Sequence, residues 1–326
     1  MNTVKMALRA AIAAMAFLAA GSTIAAAQTY PTRPVRFIVP TPPGGGTDTL
    51  ARIAGSKASE ILGAPVVIDN RGGAGGNIAA KVVADSATDG YTLLLGNLAN
   101  VISMSLYRKL DYDLLRDFVP VTELASVPFI LTVNPSVPAQ SVKELIAFAK
   151  AKPGYLSYAS SGNGQPSHLA MELLKSMAGV DITHIPYKGA GPAAVDVISG
   201  QVQMYFFALP AGLPHVRGGK LRGLAVGSAT RAAAAPDFPT IAESGLPGFE
   251  AMTWYGVLVP AGTPSVAVNK LHSAFSASVN APDIRKRLVD QGFDIIGNTP
   301  AEFRAYIQTE LVKWDRIVKL SGSRVD

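Results

Sequence analysis

Short apolar runs alternate along this chain with segments of helical periodicity. Nine of the runs have the length and the β-branched or aromatic content of buried strands. They cover residues 35–39, 66–68, 92–95, 129–133, 155–159, 182–185, 202–207, 221–226 and 255–259. Short strands that alternate with helices predict an α/β architecture with largely parallel sheets.

Helix starts are marked by side chains that can bond the first free backbone amides. Ser141 is followed three residues later by Glu144, and Thr299 by Glu302, which are capping-box spacings. The second of these predicts a C-terminal helix over residues 300–320.

Two glycine-rich segments each follow an apolar run and open a helical segment. The first loop is Thr41-Pro42-Pro43-Gly44-Gly45-Gly46-Thr47-Asp48, and the second loop is Ser161-Gly162-Asn163-Gly164-Gln165. A strand–glycine–helix turn places backbone N–H groups at the positive end of a helix, where they favour an anion. Asp48 is the expected N-cap of its helix. The pattern predicts two lobes that present bare amides to one negatively charged ligand, with two generic tight turns as the alternative.

The N-terminus has the features of a secretory signal peptide. Lys5 and Arg9 precede an apolar run at residues 10–20, and Ala25-Ala26-Ala27 meets the small-residue cleavage rule. The run is too short to span a bilayer. The chain has no cysteine, so it lacks a lipid-attachment site and disulfides. We therefore predict a signal peptide at residues 1–27, cleavage after Ala27, and a free periplasmic protein.

Composition excludes several other classes of protein. Loss of Lys5 and Arg9 lowers the formal net charge from +6 to +4, and the charges are scattered, which argues against nucleic-acid binding. Four dispersed histidines and no cysteine leave no metal-ligand cluster. We expect no metal and no cofactor.

A mature chain of about 300 residues is long for one domain, so two lobes are expected. Extended segments near residues 126–132 and 251–259 carry no glycine-rich turn and bracket the second loop. We interpret them as paired crossings between the lobes. The first lobe is then residues 28–127 with 252–326, the second is residues 128–251, and the protein is expected to be a monomer.

The segment Arg71-Gly72-Gly73-Ala74-Gly75-Gly76-Asn77 resembles a dinucleotide-binding turn at first sight. The spacing fails, because Ile78 stands where glycine or alanine is required and no well-placed acid follows. A structural turn at the rim of the cleft is the better interpretation.

Ser167-His168 raises the possibility of a secreted α/β hydrolase that uses Ser161 or His168. The chain lacks a G-x-S-x-G elbow, and adjacent residues on a helix do not face each other. His168 is expected to pack in the first turn of its helix, so a hydrolase stays a secondary alternative.

An ordered set of short motifs resembles one known family. The set contains Pro43-Gly44-Gly45-x-Thr47-Asp48, Asn70-Arg71-x-Gly73-Ala74-Gly75-Gly76, Asp89-Gly90-Tyr91-Thr92-Leu93-Leu94, Ser161-Gly162-x-Gly164-x-x-x-His168-Leu169, Pro186-Tyr187-Lys188-Gly189, Gly219-Lys220-Leu221-Arg222, Glu243-Ser244-Gly245-Leu246-Pro247-Gly248-Phe249 and Pro260-Ala261-Gly262-Thr263-Pro264. In this order they resemble the Bug-type solute-binding receptors of tripartite tricarboxylate transporters, over residues 30–320.

The resemblance implies an α/β, two-lobed periplasmic-binding-protein fold (type II-like) with paired crossing strands. It also implies a small carboxylate ligand, held by both loops partly through water, and handover to membrane permease subunits. A ligand sensor for a periplasmic signalling partner is the alternative. The ligand-binding residues expected from it are Thr41, Pro42, Pro43, Gly44, Gly45, Gly46, Asp48, Asn97, Ser161, Gly162, Asn163, Gly164, Gln165, His168, Tyr187, Phe207 and Ala208.

Three departures from the family pattern bear on the ligand. Thr41 stands where an aromatic residue is usual, Gln165 where serine or threonine is common, and Phe207-Ala208 where an Asp-Asn pair is familiar. If residues 207–208 line the cleft, the ligand is expected to be an aromatic or extended dicarboxylate. An amino acid would lack an acidic partner for its ammonium group. The alternative is that Phe207 packs in the core of the second lobe.

Overall fold

The computed structural model describes residues 30–44 and 46–325 as a mixed α/β protein. Gly45 of the first loop lies outside the described residues, as do the predicted signal peptide at residues 1–27 and its cleavage site after Ala27.

Ten strands form the sheets of the described chain. They are β1 (Val35–Val39), β2 (Val66–Asn70), β3 (Thr92–Asn97), β4 (Phe118–Val133), β5 (Ser157–Ser160), β6 (Thr183–Pro186), β7 (Met204–Ala208), β8 (Arg222–Val226), β9 (Met252–Pro260) and β10 (Asp294–Ile295). All nine predicted runs overlap one of these strands. The nine runs missed β10 and residues 118–128 of β4, although residues 126–128 lie in a segment that was expected to be extended.

In the described part of the chain, ten α-helices cover the sheets. They are α1 (Gly46–Leu62), α2 (Asn77–Ala84), α3 (Leu98–Leu106), α4 (Val142–Ala151), α5 (Pro166–Ala178), α6 (Ala190–Ser199), α7 (Leu209–Arg217), α8 (Ser265–Asn280), α9 (Pro282–Asp290) and α10 (Pro300–Ser321). Both predicted caps are confirmed, since the Ser141 side chain accepts from the Glu144 amide and Thr299 forms a capping box with Glu302.

The strands divide into two sheets that share β4. The first-lobe sheet has the order β2-β1-β3-β9-β4, with β1 parallel to β2 and β3, and β9 antiparallel to β3 and β4. The second-lobe sheet has the order β4-β7-β5-β6, with β5 parallel to β6 and β7. Strands β8 and β10 also pair with β4.

The long strand β4 passes from one sheet to the other. Up to Pro128 it pairs with β9 in the first lobe, and from Phe129 onward it pairs with β7 and β8 in the second. Together β4 and β9 join the lobes.

Helices bury apolar residues against both faces of the first sheet. On one face, Phe37 of β1 packs edge-on against Phe275 of α8, with ring centroids 5.3 Å apart. On the other face, Trp314 of α10 lies in a cluster that also contains Leu106 of α3. Leu169 of α5 belongs to the same cluster, so a second-lobe helix packs directly against the first lobe.

Candidate functional site

The predicted site residues lie where strands end and helices begin. The first loop follows β1, Asn97 ends β3, the second loop follows β5, Tyr187 follows β6, and Ala208 ends β7. In open α/β sheets, ligands bind outside the carboxyl ends of the strands. The local fold therefore places every predicted segment on the edge of a sheet where a ligand is expected.

The helix starts on these edges differ in how they are capped. Asn97 caps α3, because its side chain accepts from the Ala99 amide and its own amide donates to Asn100. In contrast, α5 and α7 begin without a side-chain cap. The positive ends of α5 and α7 are therefore the better supports for an anion, whereas the side-chain oxygen of Asn97 is occupied by capping.

In the first loop, Asp48 holds the turn from inside the helix. Helix α1 begins at Gly46, so the expectation that Asp48 is the N-cap is wrong; it is the third helical residue. Its carboxylate accepts the Gly44 amide at 2.9 Å and the Arg52 Nε at 2.9 Å. Burial alone would raise the pKa of Asp48, but the bonds from Arg52, Gly44 and Asn70 outweigh it and lower this pKa.

The second loop has already used four of its backbone amides. The Ser161 amide donates to Ser167 Oγ at 3.1 Å, the Gly162 amide to Ser160 Oγ at 3.2 Å, and the Gly164 amide to His168 Nδ1 at 3.0 Å. The Gln165 amide donates to the Gly162 carbonyl at 3.2 Å. The expectation of bare amides is therefore wrong for these four residues. Asn163 is exposed on the loop surface, whereas the half-buried Ser161 hydroxyl lies 3.1 Å from Ser167 Oγ.

His168 is buried beneath the second loop. Its ring stacks on His184 with centroids 3.9 Å apart, and only 5% of the residue is exposed. Burial, and secondarily Lys175, lower the pKa of His168 to about 4. The imidazole is therefore neutral at pH 7, as an Nδ1 acceptor must be.

A serine–histidine pair does form, but not the one that the sequence suggested. His184 Nε2 lies 2.6 Å from Ser160 Oγ. Ser160 is fully buried and also contacts Gly162. A nucleophile must reach its substrate, so this pair has the geometry of a loop support and not of a catalytic dyad.

Glycines bring the two lobes into contact around the turn at residues 72–76. A Cβ on Gly164 would overlap the side chain of Leu106, and a Cβ on Gly75 would lie 3.0 Å from Gln165 Nε2. On the other side of the same turn, a Cβ on Gly72 would lie 3.1 Å from the Pro42 ring. Both loops therefore flank this turn.

A groove of about 840 Å³ opens between the lobes beside the first loop. Its lining is mainly apolar and comprises Gly44, Gly46, Thr47, Thr49, Val127, Ala208, Pro210, Ala211, Leu213, Pro214, Arg217, Tyr255, Asp290, Gln291 and Phe293. Second-loop residues are not among these. The first loop and Ala208 thus line the same groove. The second loop lies instead beside the turn at residues 72–76.

Two predicted side chains are engaged in contacts within the protein. The Phe207 residue is 2% exposed, and its ring packs on Tyr205 and His215, with centroid separations of 4.2 and 5.8 Å. Stacking of a ligand on Phe207 is therefore not available in this structure. The Tyr187 hydroxyl donates to Asp196 at 2.7 Å, and burial together with that carboxylate raises the pKa of Tyr187 to about 12.

Sequence reasoning missed the residues that support the loops from elsewhere in the chain. Asn70 of β2 donates to the Thr41 carbonyl, and His184 of β6 supports Ser160. Asn70 does stand in a recognised motif, which was a usable signal. His184 carries no local signal, because its role depends on the pairing of β5 with β6.

Across residues 30–44 and 46–325, no helix is long and apolar enough to cross a membrane. The same residues contain no group of three or more histidine, cysteine, aspartate or glutamate side chains that could hold a metal ion.

The fold and the cleft define a two-lobed solute-binding protein. Residues 50–322 match the family model described as "Tripartite tricarboxylate transporter family receptor". The chain is 39% identical to Protein BugT of Bordetella pertussis over 301 residues, which cover 92% of each chain. The chain therefore belongs to the tripartite tricarboxylate transporter receptor family, and the predicted Bug-type membership is confirmed.

Solved structures agree with this assignment and confirm the two-lobed fold. The structure "R. palustris Rpa4515 with adipate" has a TM-score of 0.84 and 38% identity, over 91% of this chain and all of the other. The structure "MatC (Rpa3494) from Rhodopseudomonas palustris with bound malate" has a TM-score of 0.80 and 34% identity, over 89% of this chain and all of the other.

Proposed function

We propose that this protein is the periplasmic receptor of a tripartite tricarboxylate-type transporter. It captures a small carboxylate between its lobes as a monomer, catalyses no reaction, and delivers the ligand to membrane permease subunits. The observation that carries this proposal is the interlobe groove beside the first loop, at the carboxyl ends of the strands. Family membership, and the adipate and malate named for two similar structures, support it.

The carboxylate would lie between the two loops, over the turn at residues 72–76. The positive end of α5, whose N-cap Gln165 lies beside this turn, favours a negative charge there, and the positive end of α7 lies at the groove. The Ser161 hydroxyl and the side-chain amides of Asn163 and Gln165 are candidate donors. Charge-assisted hydrogen bonds of this kind contribute roughly 1.5–3 kcal/mol each.

The rest of the ligand would occupy the groove along α7, whose lining is mainly apolar. Among the described residues of that lining, Arg217 alone carries a positive charge, and it lies in the last turn of α7. The one carboxylate of the lining, Asp290, is paired with Lys286 at 2.6 Å. We therefore propose a dicarboxylate with an extended or aromatic apolar body, and not an amino acid.

We also propose that the lobes are residues 28–127 with 252–326 and residues 128–251. The exchange of β4 pairing partners between Pro128 and Phe129 supports this boundary. Because the second loop is absent from the groove lining, ligand-driven closure would bring it toward the first loop. Small-angle scattering should show a smaller radius of gyration with saturating ligand, and an unchanged radius would contradict closure.

A thermal-shift panel tests the receptor proposal and its ligand class together. Adipate, phthalate, malate and aspartate are compared on the purified protein, and adipate or phthalate should stabilise it most. A ligand at 100 times its Kd adds about 2.7 kcal/mol to the free energy of unfolding. Stabilisation by none of these acids would contradict the receptor proposal, and stabilisation by aspartate alone would contradict the ligand class.

Arg217→Gln tests whether Arg217 contacts the second carboxylate of such a ligand. It should weaken adipate binding at least fivefold and leave hexanoate, which lacks the second carboxylate, unchanged. Arg231→Gln is the matched control, because Arg231 is also exposed but pairs with Glu243 outside the groove. Equal effects of Arg217→Gln on both acids would contradict the proposed contact.

A further inference from the structure

We infer that Asn70, at the end of β2, is a positioning residue that sets the shape of the first loop for anion binding. This inference rests on the proposed function, and it concerns a side chain outside the predicted ligand-binding set.

Asn70 bonds both ends of the first loop. Its Nδ2 donates to the Thr41 carbonyl at 2.9 Å and to Asp48 Oδ1 at 3.0 Å. Its Oδ1 accepts from Arg52 Nη2 at 3.2 Å. The amide orientation follows from these partners, since both groups that face Nδ2 are acceptors and Arg52 can only donate. One neutral side chain thus joins the start of the loop, its last residue and the helix behind it.

These bonds determine where the loop backbone lies. Thr41 leaves β1, and Asp48 lies in the first turn of α1, so Asn70 closes the loop between them. Asp48 then draws in the Gly44 amide at 2.9 Å through its other oxygen. Asn70 therefore acts on the groove-lining residue Gly44 through Asp48.

Charge gives a second reason for an amide at this position. Asp48 is 3% exposed and lies in the loop proposed to bind a carboxylate, so its negative charge must be balanced locally. Arg52 supplies the positive charge, and Asn70 donates without adding charge of its own. An acid at position 70 would place a second carboxylate about 3.0 Å from the first.

Asn70→Asp tests the inference, with the double variant Asn70→Asp/Asp48→Asn as the rescue. In the double variant the hydrogen bond between positions 48 and 70 is kept with its direction reversed, and one negative charge still faces Arg52. The bond to the Thr41 carbonyl is lost in both variants, so the rescue is partial. Asn134→Asp is the matched control. Asn134 directly follows β4, far from this loop in the sequence, and its side chain donates to the Val197 carbonyl.

The first measurement is hydrogen exchange of the ligand-free protein, which needs no ligand. The Gly44 amide should exchange at least tenfold faster in Asn70→Asp and should be partly slowed again in the double variant. Asn134→Asp should leave it unchanged. The inference would be overturned if the Gly44 amide exchanged at the wild-type rate in Asn70→Asp. It would also be overturned if this amide exchanged as fast in the double variant as in the single one.

The second measurement is calorimetry with adipate as the probe. The affinity should fall at least tenfold in Asn70→Asp and partly return in the double variant, in parallel with the exchange at Gly44. Wild-type affinity in a variant whose loop exchange is accelerated would overturn the link between loop shape and binding. If wild-type protein does not bind adipate, the proposed ligand fails, while the exchange data still decide whether Asn70 shapes the loop.

Discussion

The first and second loops occupy equivalent places in their lobes but are held by different chemistry. The first is held by the charged pair of Asp48 and Arg52 with the amide of Asn70, and the Arg52 side chain is 53% exposed. The second is held by Ser160 and His168, which are neutral and buried. A strand–glycine–helix turn can thus be fixed by a partly exposed ionic network or by a buried neutral one.

The difference predicts different sensitivities. A partly exposed ion pair is screened by salt and contributes up to about 1 kcal/mol. A buried imidazole acceptor is insensitive to salt but fails once it is protonated. Salt should therefore loosen the first loop, and acid the second.

The largest effect is expected where the second loop meets the first lobe. Gly164 has φ +69°, and a Cβ there would overlap Leu106, whereas Gly179 has φ +61° with nothing near its Cβ position. Gly164→Ala should weaken adipate binding at least 100-fold by calorimetry, because backbone strain and overlap coincide. Gly179→Ala carries the strain alone and should bind adipate normally. Similar affinities in the two variants would contradict the close approach of the lobes.

The second expected effect is acid sensitivity that depends on His168. In the folded protein the pKa of His168 is lowered from 6.5 to about 4, so its neutral form contributes stability above pH 6.5. That stability is lost as the pH falls from 6.5 through 4, with an upper limit of about 3 kcal/mol.

His168→Asn checks this by urea unfolding at pH 7 and pH 4.5. Asparagine keeps an acceptor for the Gly164 amide but does not titrate, so the variant should lose less stability on acidification than the wild-type protein. His184 titrates in the same direction and remains in both proteins, so some acid sensitivity should persist. If the free energy of unfolding falls by the same amount between pH 7 and pH 4.5 in the variant and in the wild-type protein, the role of His168 is contradicted.

The smallest expected effect is that of salt. The two loops can be compared within the wild-type protein, by following exchange of the Gly44 and Gly164 amides. Raising the salt concentration from 0.05 to 1 M should speed exchange of the Gly44 amide roughly threefold, because its acceptor Asp48 loses part of its ionic support. The Gly164 amide, bonded to His168, should keep its rate. A salt response of equal size at both amides would contradict the distinction between the loops.

Local sequence signals predicted the strands, the caps and the positions of both loops. The capping boxes and glycine runs act over a few residues, so they are readable without tertiary structure. The first part of β4 was missed because Pro120, Glu123 and Pro128 interrupt its apolar pattern, although the strand is almost wholly buried.

The supports of the site were missed for a different reason. The contact of Asn70 with Thr41 spans 29 residues, and that of His184 with Ser160 spans 24. Such contacts depend on parallel strand pairing, which local patterns do not encode. The burial of Phe207 likewise depends on which face of β7 meets the core, and the resemblance to a family could not decide it.

In the proposed receptor, one carboxylate is held by both loops at once. Hydrogen exchange of the purified protein with and without saturating adipate follows amides of both loops in one experiment. Exchange should slow at residues 44–48 and at residues 161–165 together. Protection of only one loop, or of neither while adipate binds, would rule out a carboxylate shared by the two loops.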